Sequence, residues 1–233
     1  MNRKVLAGLI ALLALGVLII AGYFALPYFK TGRISKLEKK AESLIAAGDL
    51  IDAEILIRKA LDLDPENPDL HFKLAQILEK EGVLDQAREH YLLASKAGKS
   101  PDPGYLAGIM TYKLGKPEEA EKVFTENLRT WPEDIPTLYQ LGWLLARKGN
   151  CLDAIGYFEK IVAIKPLEAE AYNNLGFCLY TLDQPEKAKK MLQRALEINP
   201  NLESAKKSLQ TIEADLAEKT LPGATAEPCP NCK

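Results

Sequence analysis

Residues 169–202 read AEAYNNLGFCLYTLDQPEKAKKMLQRALEINPNL, and the pattern of this stretch decides the fold. Its alanine at position 20 has counterparts at intervals of 33 or 34 residues, which gives the series Ala53, Ala87, Ala120, Ala154 and Ala188. A gapless series of this period indicates stacked repeats. Each repeat is expected to be a pair of short helices that cannot bury its apolar face alone and therefore packs on its neighbours.

Other positions of the repeat have physical roles of their own. Small residues at positions 8 and 20 would let the two helices approach closely. Position 15 is glycine in four repeats and Asp183 in the fifth, and both residue types can adopt the left-handed conformation that ends a helix. Pro117 and Pro185 follow two residues later, at the expected start of the second helix. A proline at position 32 would end that helix in four of the five repeats.

Set in register, the five units occupy residues 34–67, 68–100, 101–134, 135–168 and 169–202. They resemble tetratricopeptide repeats (TPR), and the fifth unit matches that family's pattern with Tyr172, Leu175, Gly176, Ala188, Leu192, Ala195 and Pro200. The resemblance implies an all-α fold, an α-solenoid of about five TPR helix pairs over residues 34–202. Residues 203–219 then read as a capping helix, with Leu209, Ile212 and Leu216 on its apolar side.

The join between the second and third units is irregular. Residues 97–104 lack the position-32 proline and are one residue short, and Gly104 stands where the pattern has a bulky side chain. One interpretation is a turn that has diverged locally. The other is a hinge that divides the array into an arm of two units and an arm of three.

The first thirty residues differ in composition from the rest. Residues 1–4 form a short basic tail, and Val5 to Leu26 are 22 residues without a charge, about 33 Å of helix, which is long enough to cross a bilayer core. We therefore predict a transmembrane helix at residues 5–29 and a single-pass protein, expected in a bacterial inner membrane. A cleaved signal peptide is the alternative, although its apolar core is normally about 7–15 residues. Basic residues flank both sides of the segment, which leaves the side of the membrane that holds the repeats open.

Charge and motifs narrow the function classes. The chain has 30 basic and 32 acidic side chains, a net charge of −2, so nothing in it predicts attraction to nucleic acid. It contains no H-E-x-x-H, no G-x-S-x-G and no glycine loop that would hold a phosphate. We therefore expect a protein that is not an enzyme.

The TPR resemblance also implies a binding surface, because positions 2, 5, 9, 12 and 13 of each unit face the groove in that family. Seven of the 17 aromatic residues fall on these positions. Rigid rings with polar tips are typical anchors for peptides, although some of these rings could instead pack against a neighbouring unit. The predicted groove residues are Phe72, Gln76, Tyr105, Ile109, Tyr112, Tyr139, Trp143, Arg147, Asn173, Phe177 and Tyr180.

The polar tail at residues 220–233 contains Cys229 and Cys232, a C-x-x-C pair. Such a pair could supply two of the four ligands of a zinc ion, could carry out thiol-disulfide chemistry, or could have no strong function. An N-terminal helix, TPR units and terminal cysteines are loosely similar to adaptors of lipopolysaccharide assembly, whose cysteine knuckles carry two such pairs.

These observations predict a membrane-anchored TPR adaptor that binds a protein or peptide partner, preferably an apolar or aromatic segment, in an aromatic groove. The alternative is a thiol-redox or metal-dependent assembly factor that acts through Cys229 and Cys232. A homo-oligomer is compatible with either function, and no cofactor is expected apart from zinc at the cysteine pair.

Overall fold

The computed structural model of the protein describes residues 30–220, and every regular element in that range is an α-helix. The all-α class predicted from the repeat pattern is confirmed. The helices are α1 (30–47 within the described range), α2 (Leu50–Leu63), α3 (Pro68–Lys80), α4 (Leu84–Ser95), α5 (Asp102–Lys113), α6 (Pro117–Thr130), α7 (Ile135–Arg147), α8 (Cys151–Ile164), α9 (Ala169–Thr181), α10 (Pro185–Ile198) and α11 (Glu203–Thr220).

The described chain divides into two compact units between Pro103 and Gly104. Within the first unit, α3 packs against α4 and also against α2. Within the second, α7 packs against α8 and α9 against α10; α8 also contacts α9 of the next pair, and α10 contacts the capping helix α11. The boundary falls inside the irregular segment 97–104. A hinge at this segment stays a prediction.

The turns between paired helices have the backbone that the sequence predicts. The four glycines at position 15 have φ between 75° and 84°, and Asp183 in the fifth repeat has φ of 53°. The amide of Asp183 donates to the carbonyl of Tyr180 (3.0 Å) and that of Gln184 to Leu179 (2.9 Å), the paired bonds that close a helix at a left-handed residue. Pro117 and Pro185 begin α6 and α10, as predicted.

Close approach accounts for the small residue at position 8. A Cβ atom added to Gly108 would lie 2.3 Å from Cε1 of Phe124, and one added to Gly176 would lie 2.7 Å from Cγ of Leu192. Phe124 and Leu192 are themselves fully buried. The first helix of each of these repeats therefore rests directly on the large side chain at position 24 of the second helix.

In the third repeat, position 4 is small (Gly104) and position 27, which faces it, is large (Asn127), the reverse of the repeat pattern. A Cβ atom on Gly104 would lie 2.1 Å from Oδ1 of Asn127, which stands where the family pattern has alanine. Asn127 is buried, and its Nδ2 donates to Oγ1 of the buried Thr137 at 2.8 Å. A buried amide needs such a partner, since leaving it unpaired costs free energy. Gly104 therefore leaves the space that the Asn127 side chain occupies.

The last helix packs against the fifth repeat. Ala205 and Ile212 of α11 are buried in one apolar cluster with Ala188, Leu192 and Ala195 of α10. Leu209 and Leu216 are partly buried against the same cluster. α11 thus removes from water an apolar face that α10 would otherwise expose.

Two predicted segments lie outside the described residues. These are the transmembrane helix at residues 5–29 and the C-x-x-C tail from residue 221 onward, and both stay predictions. Within residues 30–220, none of the helices combines the length and the apolar character that a bilayer crossing requires.

Candidate partner-binding surface

In the first unit, the predicted groove residues lie on α3. The Phe72 ring is half-buried and packs at 5.6 Å and 60° against the ring of Tyr91 on α4. It also borders a cavity of ≈ 90 Å³ together with Ala94 and Lys99. Gln76 is exposed. Phe72 therefore contributes to the packing of its own helix pair and offers a partner only part of its ring.

An ion-pair group joins the first and second repeats. Nζ of Lys73 on α3 lies 3.0 Å from a carboxylate oxygen of Glu38 and 2.7 Å from one of Glu42, both on α1. The hydrogen bond from Lys73 lowers the pKa of the exposed Glu42 carboxyl. One cation thus binds two carboxylates and ties α1 to α3.

In the second unit, the two tyrosines at position 5 are also packing residues. The ring of Tyr105 on α5 lies 6.5 Å from that of Phe124, and the ring of Tyr139 on α7 lies 6.1 Å from that of Phe158. The hydroxyl oxygen of Tyr139 accepts a hydrogen bond from Nδ2 of Asn174 at 3.0 Å. Both rings therefore support their helix pairs, and Tyr139 also ties α7 to α9.

Tyr112, Trp143 and Arg147 come together, and we call them the Trp143 cluster. The rings of Tyr112 and Trp143 meet edge to face at 5.5 Å, and Cζ of Arg147 lies 4.9 Å above the Trp143 ring. Nη1 of Arg147 donates to the Tyr112 hydroxyl at 2.9 Å. Tyr112 and Trp143 are half-buried and Arg147 is exposed. Ile109, also half-buried, packs against the core of this unit and is not part of the cluster contacts.

On α9, the three predicted residues have different surroundings. Phe177 is 50% exposed, although it is a large apolar residue. Asn173 is half-buried, and its Oδ1 is buried without a hydrogen-bond donor among the described residues. The Tyr180 hydroxyl donates to the carboxylate of Asp215 on α11, and this bond raises the pKa of Tyr180. The Tyr180 hydroxyl is therefore already hydrogen-bonded to the capping helix.

The same spacing recurs in four hydrogen bonds or ion pairs. The pairs Glu38–Lys73, Tyr112–Arg147, Tyr139–Asn174 and Tyr180–Asp215 are each separated by 35 residues. In register this spacing joins position 5 to position 6 of the next repeat, or position 12 to position 13. Sequence reasoning did not select Lys73, Asn174 or Asp215 as functional. A search for pairs of polar residues that are 35 residues apart and able to form a hydrogen bond or ion pair could have found them.

A larger cavity of ≈ 380 Å³ lies elsewhere in the second unit, and it was not predicted. Leu141 and Leu145 of α7 line it, with polar side chains of α6 and α8 around them. Among these, Glu121 forms an ion pair with Lys148 at 2.7 Å, and Lys160 lies 6.0 Å above the ring of Tyr157. Charges of both signs are therefore present, and the cavity favours neither an anion nor a cation.

No metal site is evident within residues 30–220, where no three His, Cys, Asp or Glu side chains are grouped closely enough to share an ion. Cys229 and Cys232, the predicted ligands for zinc or thiols for redox chemistry, belong to the tail that follows those residues. Their role stays a prediction.

Comparisons with known proteins identify the repeats. Two tetratricopeptide repeat family models match the chain, one over residues 44–107 and one over residues 169–202. The chain is a tetratricopeptide repeat protein. Proteins of this family are generally scaffolds that bind proteins or peptides.

Relatives of known sequence are much longer than this chain. It is 30% identical over 188 residues to cellulose synthase operon protein C of Pseudomonas fluorescens, an alignment that covers 72% of this TPR protein and 14% of the relative. It is 28% identical over 170 residues to a TPR repeat-containing protein of Methanocaldococcus jannaschii, which covers 54% of this chain and 30% of that one.

Solved structures support the fold. YrrB, described as a TPR protein with an unusual peptide-binding site, superposes with a TM-score of 0.63 at 24% identity, over 75% of this chain and 90% of that one. The MamA protein superposes with a TM-score of 0.65 at 21% identity, over 72% and 92% of the two chains. At these identities the likeness extends to the fold alone.

Proposed function

We propose that this protein is a non-enzymatic scaffold, anchored in a membrane through residues 5–29, which captures a protein or peptide partner on the second unit. The binding surface is formed by the Trp143 cluster together with Phe177, which occupies on α9 the repeat position that Trp143 occupies on α7. The observation that carries the proposal is the bracing of the Trp143 ring between Tyr112 and Arg147.

Bracing matters because binding costs the entropy of ordering mobile side chains. The Tyr112 ring packs edge to face with the indole, and Arg147 is fixed both by the indole face and by the Tyr112 hydroxyl. A partner would therefore meet side chains that are already ordered, which lowers the cost of association by roughly 0.5–1.5 kcal/mol for each of them. Tryptophan, tyrosine and arginine are also the residue types that most often dominate binding energy.

The surface has a definite chemical preference. A half-exposed phenylalanine and a half-buried indole favour an apolar or aromatic side chain of the partner. The guanidinium of Arg147 carries five N–H groups, and only its bond to Tyr112 is needed for the bracing. The others can donate to a carboxylate or a backbone carbonyl. The preferred ligand is thus a segment with an apolar anchor beside an acceptor group.

Replacement of Trp143 by alanine tests the surface, with Trp131→Ala as the matched control. Trp131 is also half-buried, but it ends α6 and is not part of the Trp143 cluster. Proteins would be crosslinked to the full chain in membranes, recovered and quantified by mass spectrometry. Truncation of a central tryptophan costs about 2 kcal/mol or more, roughly a 30-fold loss of affinity. We expect Trp143→Ala to lose partners that Trp131→Ala retains.

Equal recovery by wild type, Trp143→Ala and Trp131→Ala would reject this surface. Thermal melting by circular dichroism checks that both variants remain folded, because an unfolded variant would also lose its partners.

The anchor has its own test. The full chain should resist extraction of membranes with alkaline carbonate, whereas residues 31–233 should be released. Release of both would reject the anchor and leave the binding surface untouched.

A further inference from the structure

The exposed side of α1 carries basic residues without acidic partners. Arg33, Lys36 and Lys40 are all exposed, and none of them forms an ion pair with another of the described residues. Because they are spaced three and four residues apart, they share one face of the helix, which we call the basic face. Ile34 and Ala41 lie on a different side of α1 and are buried. The packing of α1 therefore leaves the basic face open to solvent.

The acidic residues of α1 are already bound elsewhere. Glu38 and Glu42 are the two acidic residues within 30–47, and Nζ of Lys73 on α3 lies 3.0 and 2.7 Å from their carboxylates. The hydrogen bond from Lys73 and, more weakly, the charge of Lys39 lower the pKa of the Glu42 carboxyl. Lys39 thus belongs to the acidic side of the helix. The charges of α1 are segregated, and its acidic side chains do not neutralise the basic face.

The basic face begins close to the proposed membrane anchor. α1 is helical from residue 30 onward, directly after the segment 5–29, and Lys30 itself is held by Asp64 at 3.1 Å. Along the helix axis, Lys36 lies about 9 Å and Lys40 about 15 Å beyond residue 30. Only the first of these distances is within the Debye length, about 10 Å at 0.1 M salt. Contact of Lys40 with a bilayer surface therefore requires α1 to lean towards that surface.

We propose that the basic face of α1 binds the anionic phospholipid headgroups of the bilayer that holds the anchor, and so draws the first repeat towards the membrane surface. This inference rests on the anchor of the proposed function and adds an electrostatic attachment to it. A lysine ammonium binds a headgroup phosphate as a point charge, and an arginine can donate two parallel N–H groups to it. Each such residue near an anionic surface strengthens binding roughly five-fold.

The ligand is a lipid surface because of where the basic face lies in the chain. An anchor that ends next to α1 keeps the face beside headgroups at all times, whereas an acidic protein would have to compete with them. Lipid composition then becomes a variable of the protein. In a bilayer with anionic lipid the first repeat leans on the surface, and in a neutral bilayer it does not.

Lysine acetylation of the full chain in vesicles tests the proposal. The chain is reconstituted into phosphatidylcholine vesicles, with or without about one third phosphatidylglycerol, at about 0.1 M salt. It is treated with an uncharged acetylating reagent and mapped by mass spectrometry. Acetylation of Lys36 and Lys40 should be roughly five-fold slower with phosphatidylglycerol. Lys122 and Lys190, also exposed and without an ion pair among the described residues, are the references and should not change. At about 1 M salt the difference should disappear.

A charge-matched pair of variants separates binding from mere proximity. Arg33→Gln with Lys36→Gln removes the two basic residues nearest the anchor and leaves Lys40 as the reporter. In this variant Lys40 should be acetylated at the same rate with and without phosphatidylglycerol, because α1 is no longer held on the surface. Lys122→Gln with Lys190→Gln removes the same charge from the second unit, and Lys40 should remain protected.

Equal acetylation of Lys36 and Lys40 in the two kinds of vesicle would overturn the proposal, and so would protection of Lys40 that persists in Arg33→Gln with Lys36→Gln. The anchor is judged separately, by extraction of the phosphatidylcholine vesicles with alkaline carbonate. A chain that is released there but still shows the phosphatidylglycerol effect rejects the anchor and retains the headgroup contact. A chain that resists extraction and shows no such effect retains the anchor and rejects the headgroup contact.

Discussion

Gly108→Ala and Gly156→Ala are the same chemical change within helix interiors, yet we expect effects of opposite sign. Alanine favours a helix over glycine by about 0.8–1.0 kcal/mol, and both positions would gain this. At Gly156 on α8, the new Cβ meets no atom within 4 Å, so the full gain remains. At Gly108 on α5, the Cβ would lie 2.3, 2.6 and 2.8 Å from three carbons of the Phe124 ring.

Relief of this overlap requires a shift of more than 1 Å, because ordinary contacts between carbon atoms begin near 3.4 Å. The Phe124 ring is only 2% exposed and lies against Tyr105, so it cannot turn into solvent. Overpacking of a buried site typically costs about 1–3 kcal/mol. Because three ring carbons would lie within 2.8 Å of the new Cβ, we expect a cost in the upper part of that range, about 2–3 kcal/mol. After the helix gain, Gly108→Ala should lower the free energy of unfolding by about 1–2 kcal/mol, whereas Gly156→Ala should raise it by about 1 kcal/mol.

Urea and thermal unfolding followed by circular dichroism measure this difference. At roughly 2–4 °C per kcal/mol for a chain of this size, the two melting temperatures should differ by about 4–12 °C. The double variant Gly108→Ala with Phe124→Ile should recover part of the loss, since the first repeat combines Ala41 at position 8 with Ile57 at position 24, and both are buried. Equal stabilisation by Gly108→Ala and Gly156→Ala would refute the claim that contact between helices requires the glycine.

Two more outcomes are expected. Burial, with the charges of His71 and Arg58, lowers the pKa of His90 below its ordinary 6.5. As pH falls below 6.5, the unfolded chain therefore binds a proton at His90 more readily than the folded chain does. The stability contributed by neutral His90 is lost over this range. The melting temperature of wild type should therefore drop more steeply from pH 7.5 to 5.0 than that of His90→Gln, and parallel pH curves would contradict this. Cys229→Ser with Cys232→Ser should leave partner recovery in the membrane crosslinking experiment unchanged; loss of the partner would instead favour the tail as the working site.

Much of the fold could be predicted because its determinants are local. Asp183 takes a left-handed conformation at the end of α9, and Pro185 begins α10, as their positions in the repeat require. Gly104 breaks the repeat pattern, and the pattern alone gives no physical reason for it. The glycine accommodates the amide of Asn127, 23 residues later, and only the packing of α5 on α6 shows this.

The candidate surface could be predicted as a set of positions but not as a set of contacts. The repeat register selects Trp143, Arg147 and Tyr180 alike. The structure distinguishes them, because Arg147 lies over Trp143 whereas Tyr180 is held by Asp215 of α11. Phe177 remains half-exposed because the described residues provide no side chain to cover it fully.

The sequence by itself determined the helix pairs, their period and their turns, because these depend on side-chain size and backbone preference within a few residues. Only the tertiary structure decided which side chains of neighbouring repeats meet. The recurrent contacts at a spacing of 35 residues depend on how each helix pair is rotated on the next and on which rotamer each side chain adopts. Those quantities are set by the packing of the whole unit, because interior side chains must fill space together at nearly crystalline density.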